Sequence, residues 1–278
     1  MPEKRPLPLY QVDAFTREPL RGNPAAVCLL DAERAEEWMQ GVAAEMNLSE
    51  TAFLLKQRDA YSLRWFTPTH EVPLCGHATL ASAHVLWESG EVPAARPLRF
   101  HTRSGVLEAK RAGSRIELDL PAFPPAGAPL PQAVAQALGL AEAGIEPRFT
   151  GRTAERGLGD VDYLVDVGSE EIVRGVRPDF ARLGREVKAG VIVTARSASG
   201  GVDFVSRYFV PAFGIDEDPV TGAAHCCLIP YWTPLLGKTD LVGYQASARG
   251  GYVHGRLAGA RVLLSGEAVT VLRGELLA

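Results

Sequence analysis

Arg64-Trp65-Phe66-Thr67-Pro68 leads into Leu74-Cys75-Gly76-His77-Ala78, and the pattern returns as Arg207-Tyr208-Phe209-Val210-Pro211 leading into Val220-Thr221-Gly222-Ala223-Ala224. The arginines stand 143 positions apart and the glycines 146, so the second copy carries three extra residues. Each copy reads as an aromatic strand, a short loop and a glycine that opens an apolar helix. The helix from Gly76 to about Glu88 is apolar nearly all round, through Leu80, Val85, Leu86 and Trp87, and so is the one from Gly222 to about Trp232. A helix with no polar face must be covered on every side, which calls for a sheet wrapped around it. Its first turn offers unpaired backbone N–H groups and the positive end of the helix dipole, a setting for an anion. The duplication therefore predicts two related halves, with a small carboxylate-bearing molecule held between them.

Outward from these two helices, alternating and β-branched runs predict strands at Leu7–Val12, Ala25–Leu30, Thr51–Lys56, Ser62–Phe66, Leu98–His101, Val106–Lys110 and Ile116–Leu120. Ala32–Met46 reads as a helix with Trp38, Met39, Val42, Ala43 and Met46 on one face. Five prolines between Pro121 and Pro131 exclude a helix or a central strand there and mark a linker near the chain midpoint. Beyond it, helices are expected near Gln132–Leu138 and Pro178–Glu186, with strands at Tyr163–Val167, Gly190–Thr194 and Asp203–Val210. Pro230 is expected to distort the second apolar helix near its end. Arg261–Leu264 and Ala268–Leu272 supply closing strands. The fold class is mixed α/β (α+β), with two pseudo-symmetric halves, each a curved, mostly antiparallel sheet around a central helix. The halves are expected at 1–120 and 132–278, joined by 121–131, with the strands near 261–278 available to pack on the first half. Strict β-α-β alternation is missing, which argues against a doubly wound parallel sheet.

Composition narrows the function. The 278 residues are 46% hydrophobic and 22% charged, with a formal net charge of −4 and no basic run, so nucleic acid is not an expected partner. No apolar stretch has the length of a membrane span, and no signal-peptide pattern opens the chain. Four cysteines, Cys28, Cys75, Cys226 and Cys227, are too few for a disulfide framework and fit a reducing cytoplasm. The six histidines are scattered, and neither Cys-x-x-Cys nor His-Glu-x-x-His occurs, so no metal site is read. No glycine-rich nucleotide loop is present, and no cofactor is expected.

Three residues carry the expected chemistry. Glu45 falls in the last turn of the Ala32–Met46 helix, where the negative dipole end and partial burial would raise its pKa and make it a proton carrier; a surface glutamate is the structural alternative. His77, at the mouth of the first apolar helix, is either a neutral proton donor facing the anion pocket or a simple polar cap. Asp218 stands at the matching place before the second helix, as an N-cap or as part of a site crowded with Asp216 and Glu217. Cys75 precedes Gly76, where a thiol pKa can be lowered. A two-thiol racemase would need a second cysteine at the matching position, which is Thr221.

Asp13-Ala14-Phe15-Thr16, Gly22-Asn23-Pro24-Ala25-Ala26-Val27, Met46-Asn47-Leu48-Ser49-Glu50-Thr51-Ala52-Phe53, Cys75-Gly76-His77-Ala78-Thr79 and Asp218-Pro219-Val220-Thr221-Gly222 together resemble the PhzF family of phenazine-biosynthesis-like isomerases. Gln245-Ala246-Ser247-Ala248-Arg249-Gly250-Gly251 is similar to the same family's C-terminal half. The resemblance runs the length of the chain. It implies the diaminopimelate-epimerase-like fold, a homodimer, and cofactor-independent proton transfer on a dihydro-hydroxyanthranilate-like carboxylate. It matches the family's catalytic glutamate to Glu45, its histidine to His77 and its acidic residue to Asp218. Its substrate-binding backbone falls on Gly76, His77, Gly222 and Ala223. Ala223 departs from the family, where serine is usual, and removes a hydroxyl contact. The alternatives are a silent binding protein and an amino-acid racemase of the same fold.

Overall fold

The computed structural model describes residues 6–153 and 161–277. It divides into two compact units: the chain up to Leu120 together with the segment from Ser265, and Pro121–Leu264.

In the first unit the strands run side by side as Ala268–Leu276, Leu7–Ala14, Asn23–Leu30, Glu50–Lys56, Tyr61–Phe66, Leu98–Thr102, Gly105–Ala112 and Arg115–Pro121. Two neighbouring pairs are parallel, Asn23–Leu30 with Glu50–Lys56 and Tyr61–Phe66 with Leu98–Thr102; the other contacts are antiparallel. Each parallel pair is joined by a crossover helix, α1 (Glu36–Met46) in the first and α2 (Gly76–Glu88) in the second. Every residue of α2 from Gly76 to Ala83 is buried, as are Val85, Leu86 and Trp87, and the helix packs on four of the strands. That is the central helix expected from its all-apolar sequence. The amphipathic α1 instead buries one stripe, Met39, Val42 and Ala43, against Phe53 and Phe66.

The second unit repeats the arrangement. It contains α3 (Gln132–Ala137), α4 (Glu170–Gly175), α5 (Phe180–Glu186) and α6 (Gly222–Leu236). Tyr163–Asp166 is parallel to Val191–Arg196 across α4 and α5, and Phe204–Val210 is parallel to Asp240–Gln245 across α6. Antiparallel partners complete the sheet, among them Phe149–Arg152 and Gly251–Ala258. In both units the strand that carries the repeated arginine also pairs with a short strand ahead of the central helix. Arg64 reaches Glu71 across that hairpin at 2.7 and 2.6 Å, and Arg207 reaches Glu217 at 2.8 Å through both Nε and Nη2. Arg64 and Arg207 also stand over Phe66 and Phe209, 5.1 and 4.7 Å from the ring centroids. Since Glu71 and Glu217 are 146 positions apart, the three extra residues lie inside the second hairpin, where Pro211–Phe213 forms a single 3₁₀ turn.

Two sequence expectations change at the prolines. Helix α6 does not stop at Trp232; it runs through Pro230 and Pro234 to Leu236. Pro230 has no N–H for the carbonyl four residues back, and that carbonyl, Cys226 O, accepts the Phe123 N–H at 2.9 Å. The proline-rich segment is therefore anchored as well as connecting: Ala122 N–H donates to Ala260 O, and Ala126–Gly127 pairs with Gly151 and Arg152.

Candidate active site

The polar residues at the start of α2 come from three parts of the first unit. Asn23 begins one strand and Glu50 begins its parallel neighbour, in a register that sets Ala25 beside Glu50. The start of α2 lies against them. Asn23 Nδ2 is 3.1 Å from His77 Nδ1, Cys75 Sγ is 3.5 Å from the same nitrogen, and Glu50 Oε2 is 3.2 Å from His77 Nε2. Asn23, Cys75 and His77 are buried, and the Glu50 side chain is 16% exposed. The Nε2–Oε2 pair lies off the hydrogen-bond line, so it is a close approach without an aligned bond. Such bonds commonly tighten only when substrate arrives. Burial pushes the His77 pKa down to about 3, so the ring is neutral at physiological pH. With Asn23 donating to Nδ1, the neutral ring carries its proton on Nε2, toward Glu50.

Cys75, the N-cap of α2, is extended (φ −142°, ψ 111°) and makes no side-chain cap. Its carbonyl is taken by Thr79, which donates both its N–H and its hydroxyl, the latter at 2.5 Å. The first-turn amides at Gly76 and His77 thus lack the usual side-chain acceptor, as an anion site requires.

In the second unit the N-cap of α6, Thr221, is also extended and also makes no side-chain cap. Its hydroxyl donates to Asp218 Oδ2, its N–H donates to Gln245 Oε1 at 2.9 Å, and Gln245 Nε2 donates to Asp218 O at 2.7 Å. Asp218 is buried, held by residues before and beyond the helix. Gly222 is buried and Ala223 half-buried at the helix start. Cys226 and Cys227 lie deeper in the helix, so no thiol matches Cys75.

Of the residues expected from sequence, His77 and Gly76 therefore share one polar cluster, and Asp218, Gly222 and Ala223 share another. Glu45 joins neither. It is exposed at the end of α1, and no hydrogen bond or ion pair of its side chain is found among the described residues. At about 100° of rotation per residue, it falls off the face formed by Met39, Val42 and Ala43, so the expected burial does not occur. Asn47 does cap the helix in the left-handed conformation (φ 50°, ψ 40°), and this turns the chain into the next strand. Glu50 is the residue the sequence reading passed over. Its signal was one carboxylate, followed by Thr51, opening the apolar run Ala52–Leu55.

The fold is of the diaminopimelate-epimerase-like type. A solved predicted epimerase from Pseudomonas aeruginosa shares it at a TM-score of 0.78 and 24% identity, covering 98% of this chain and 99% of that one. The chain matches the phenazine biosynthesis-like protein family (PhzC-PhzF) over residues 12–274, and it belongs to that family. It is 51% identical over 271 residues to an uncharacterized isomerase of Halalkalibacterium halodurans, covering 97% of this chain and 98% of the other. A crystal structure of a PhzF family protein from Enterococcus faecalis superposes at a TM-score of 0.87 with 41% identity, covering 98% and 99% of the two chains. The protein is an enzyme of the isomerase class. Among the described residues no helix is long and apolar enough to cross a membrane.

Proposed function

We propose that this isomerase moves a proton on a small carboxylate-bearing, dihydro-hydroxyanthranilate-like substrate, with Glu50 as the general acid/base. The observation that carries the reading is the Glu50–His77 approach of 3.2 Å beside an uncapped helix start. The backbone N–H groups at Gly76 and His77 are suited to a substrate carboxylate, and those at Gly222 and Ala223 offer the same chemistry on the second unit. Glu50 takes a proton from the carbon next to the electron-withdrawing group and returns it to another carbon, so no net proton is gained or lost. The neutral His77 keeps Nε2–H available to hold the carboxylate and then to follow the charge that develops on substrate. On the second unit Asp218, fixed by Thr221 and Gln245, is the matching acidic residue ahead of its own helix start. Ala223 offers no hydroxyl where the resemblance leads one to expect serine, which favours a substrate bound there through backbone alone. A cytoplasmic homodimer fits the resemblance, and the four free cysteines fit a reducing compartment.

Two matched variants test the assignment. Glu50→Gln is expected to lower turnover by at least about 10²-fold, the scale of losing a general acid/base, while the fold persists. Glu45→Gln is expected to leave turnover within about twofold, because a surface substitution away from the site shifts little. The reverse pattern would return the role to Glu45. Solvent-deuterium incorporation at the product carbon, lost in Glu50→Gln, identifies the step.

A further inference from the structure

Glu50, Cys75 and His77 bring a carboxylate, a thiol and an imidazole together with their ligand atoms all within 4.8 Å of one another. The three belong to two segments, a strand start and a helix start; Cys75 and His77 are buried and Glu50 is half-buried. Thiolate, imidazole and carboxylate are the donors zinc accepts. Zinc binds them at about 2.0–2.3 Å in a tetrahedral arrangement, which sets neighbouring ligand atoms about 3.3–3.6 Å apart. His77 Nε2 and Glu50 Oε2 already stand 3.2 Å apart, whereas Cys75 Sγ lies 3.5 Å from the other ring nitrogen and must turn toward Nε2 to complete the set. Among the described residues no hydrogen bond reaches His77 Nε2, which is buried and aimed at that carboxylate. The other ring nitrogen is held by the Asn23 amide at 3.1 Å. A half-turn of that amide exchanges its nitrogen for its oxygen without changing shape, and it would then accept the Nδ1–H. This is the outer-shell partner that metal-bound histidines ordinarily have.

We propose that Glu50, Cys75 and His77 form a three-ligand site for a zinc-class divalent cation, with His77 binding through Nε2 and a fourth position left open. Binding replaces the Cys75 thiol proton with the metal and releases that proton to solvent. Because Glu50 and His77 also carry the proposed proton transfer, occupancy and turnover exclude each other; this consequence alone rests on the proposed function, and the cation acts as an inhibitor.

Cobalt(II) titration of the purified chain tests the site without any assay of turnover. The expected result is a thiolate-to-cobalt charge-transfer band in the near ultraviolet that saturates at one equivalent and is removed by zinc. Cys75→Ser should abolish the band, and Cys226→Ser should retain it. Glu50→Gln should weaken binding by at least about tenfold, no less than the usual cost of losing an outer-shell partner. Calorimetry in two buffers of different ionisation enthalpy should report one proton released. Absence of the band at millimolar cobalt in the unmodified chain, or its persistence in a folded Cys75→Ser variant, would overturn the proposal. Neither result bears on whether Glu50 moves the substrate proton.

Discussion

At Asn23 one side chain controls the state of another 54 positions away. Its amide is fully buried and contacts His77 Nδ1, so it selects which imidazole nitrogen keeps the proton. Asn23→Asp puts a carboxylate at that nitrogen. A nearby negative charge favours the imidazolium, so the His77 pKa should rise from about 3. Titration of the His77 ring resonances by NMR checks this, and an unchanged midpoint would remove Asn23 from control of the ring. Asn23→Ala should instead cost about 1–3 kcal/mol, the usual penalty when a buried polar group loses its partner. Denaturant unfolding measures that loss. The contrast between Glu45 and Glu50 belongs to this scale too. Five positions apart, they differ in whether the chain presents them to water or to His77, and helix dipole alone does not distinguish them.

Among the elements, the repeated hairpins show how one motif carries unequal loads. Arg207 and Glu217 have side chains only 10% and 18% exposed, and Arg207 Nη1 also donates to Val176 O at 2.6 Å, at the end of α4. Arg64 is 28% exposed and shares Glu71 with Arg103. Removing one partner of a buried pair strands the other charge. Arg207→Met is therefore expected to cost about 3 kcal/mol, the low end for buried pairs because some solvent still reaches Glu217. Arg64→Met should cost clearly less, since Arg103 remains beside Glu71. Urea midpoints of the two variants decide it, and equal losses would refute the difference. Pro230 of α6 has no N–H to give the Cys226 carbonyl, and the segment after Pro121 supplies one through Phe123 N–H. Pro230 was expected to distort the helix near its end, and with this donor in place the helix runs on to Leu236.

For the whole molecule, the buried histidines His77 and His225 link stability to pH on the acid side. Burial pushes His77 down to about 3 and His225 to about 4, against an ordinary value of 6.5. Below pH 6.5 the unfolded chain binds protons that the folded chain refuses, so stability is full above 6.5 and falls as pH drops toward these lower values. The slope is about 1.4 kcal/mol per pH unit for each histidine within its window. Melting temperature should therefore fall between pH 6.5 and 4, and His225→Gln should make that fall shallower. A melting temperature flat across this range would contradict both assignments. The duplication, the two wholly apolar helices and the family were all legible in the sequence, because periodicity, punctuation by glycine and ordered motifs are properties of neighbouring residues. The helix starts at Gly76 and Gly222 were legible for the same reason. The partner of His77 was not. It depends on strand register, since the parallel pairing of Ala25 with Glu50 sets one carboxylate beside a helix that begins 26 residues later. Convergence of side chains from separate segments is long-range packing, and only the tertiary structure decided that Glu50, Cys75, His77 and Asn23 meet while Glu45 remains in solvent.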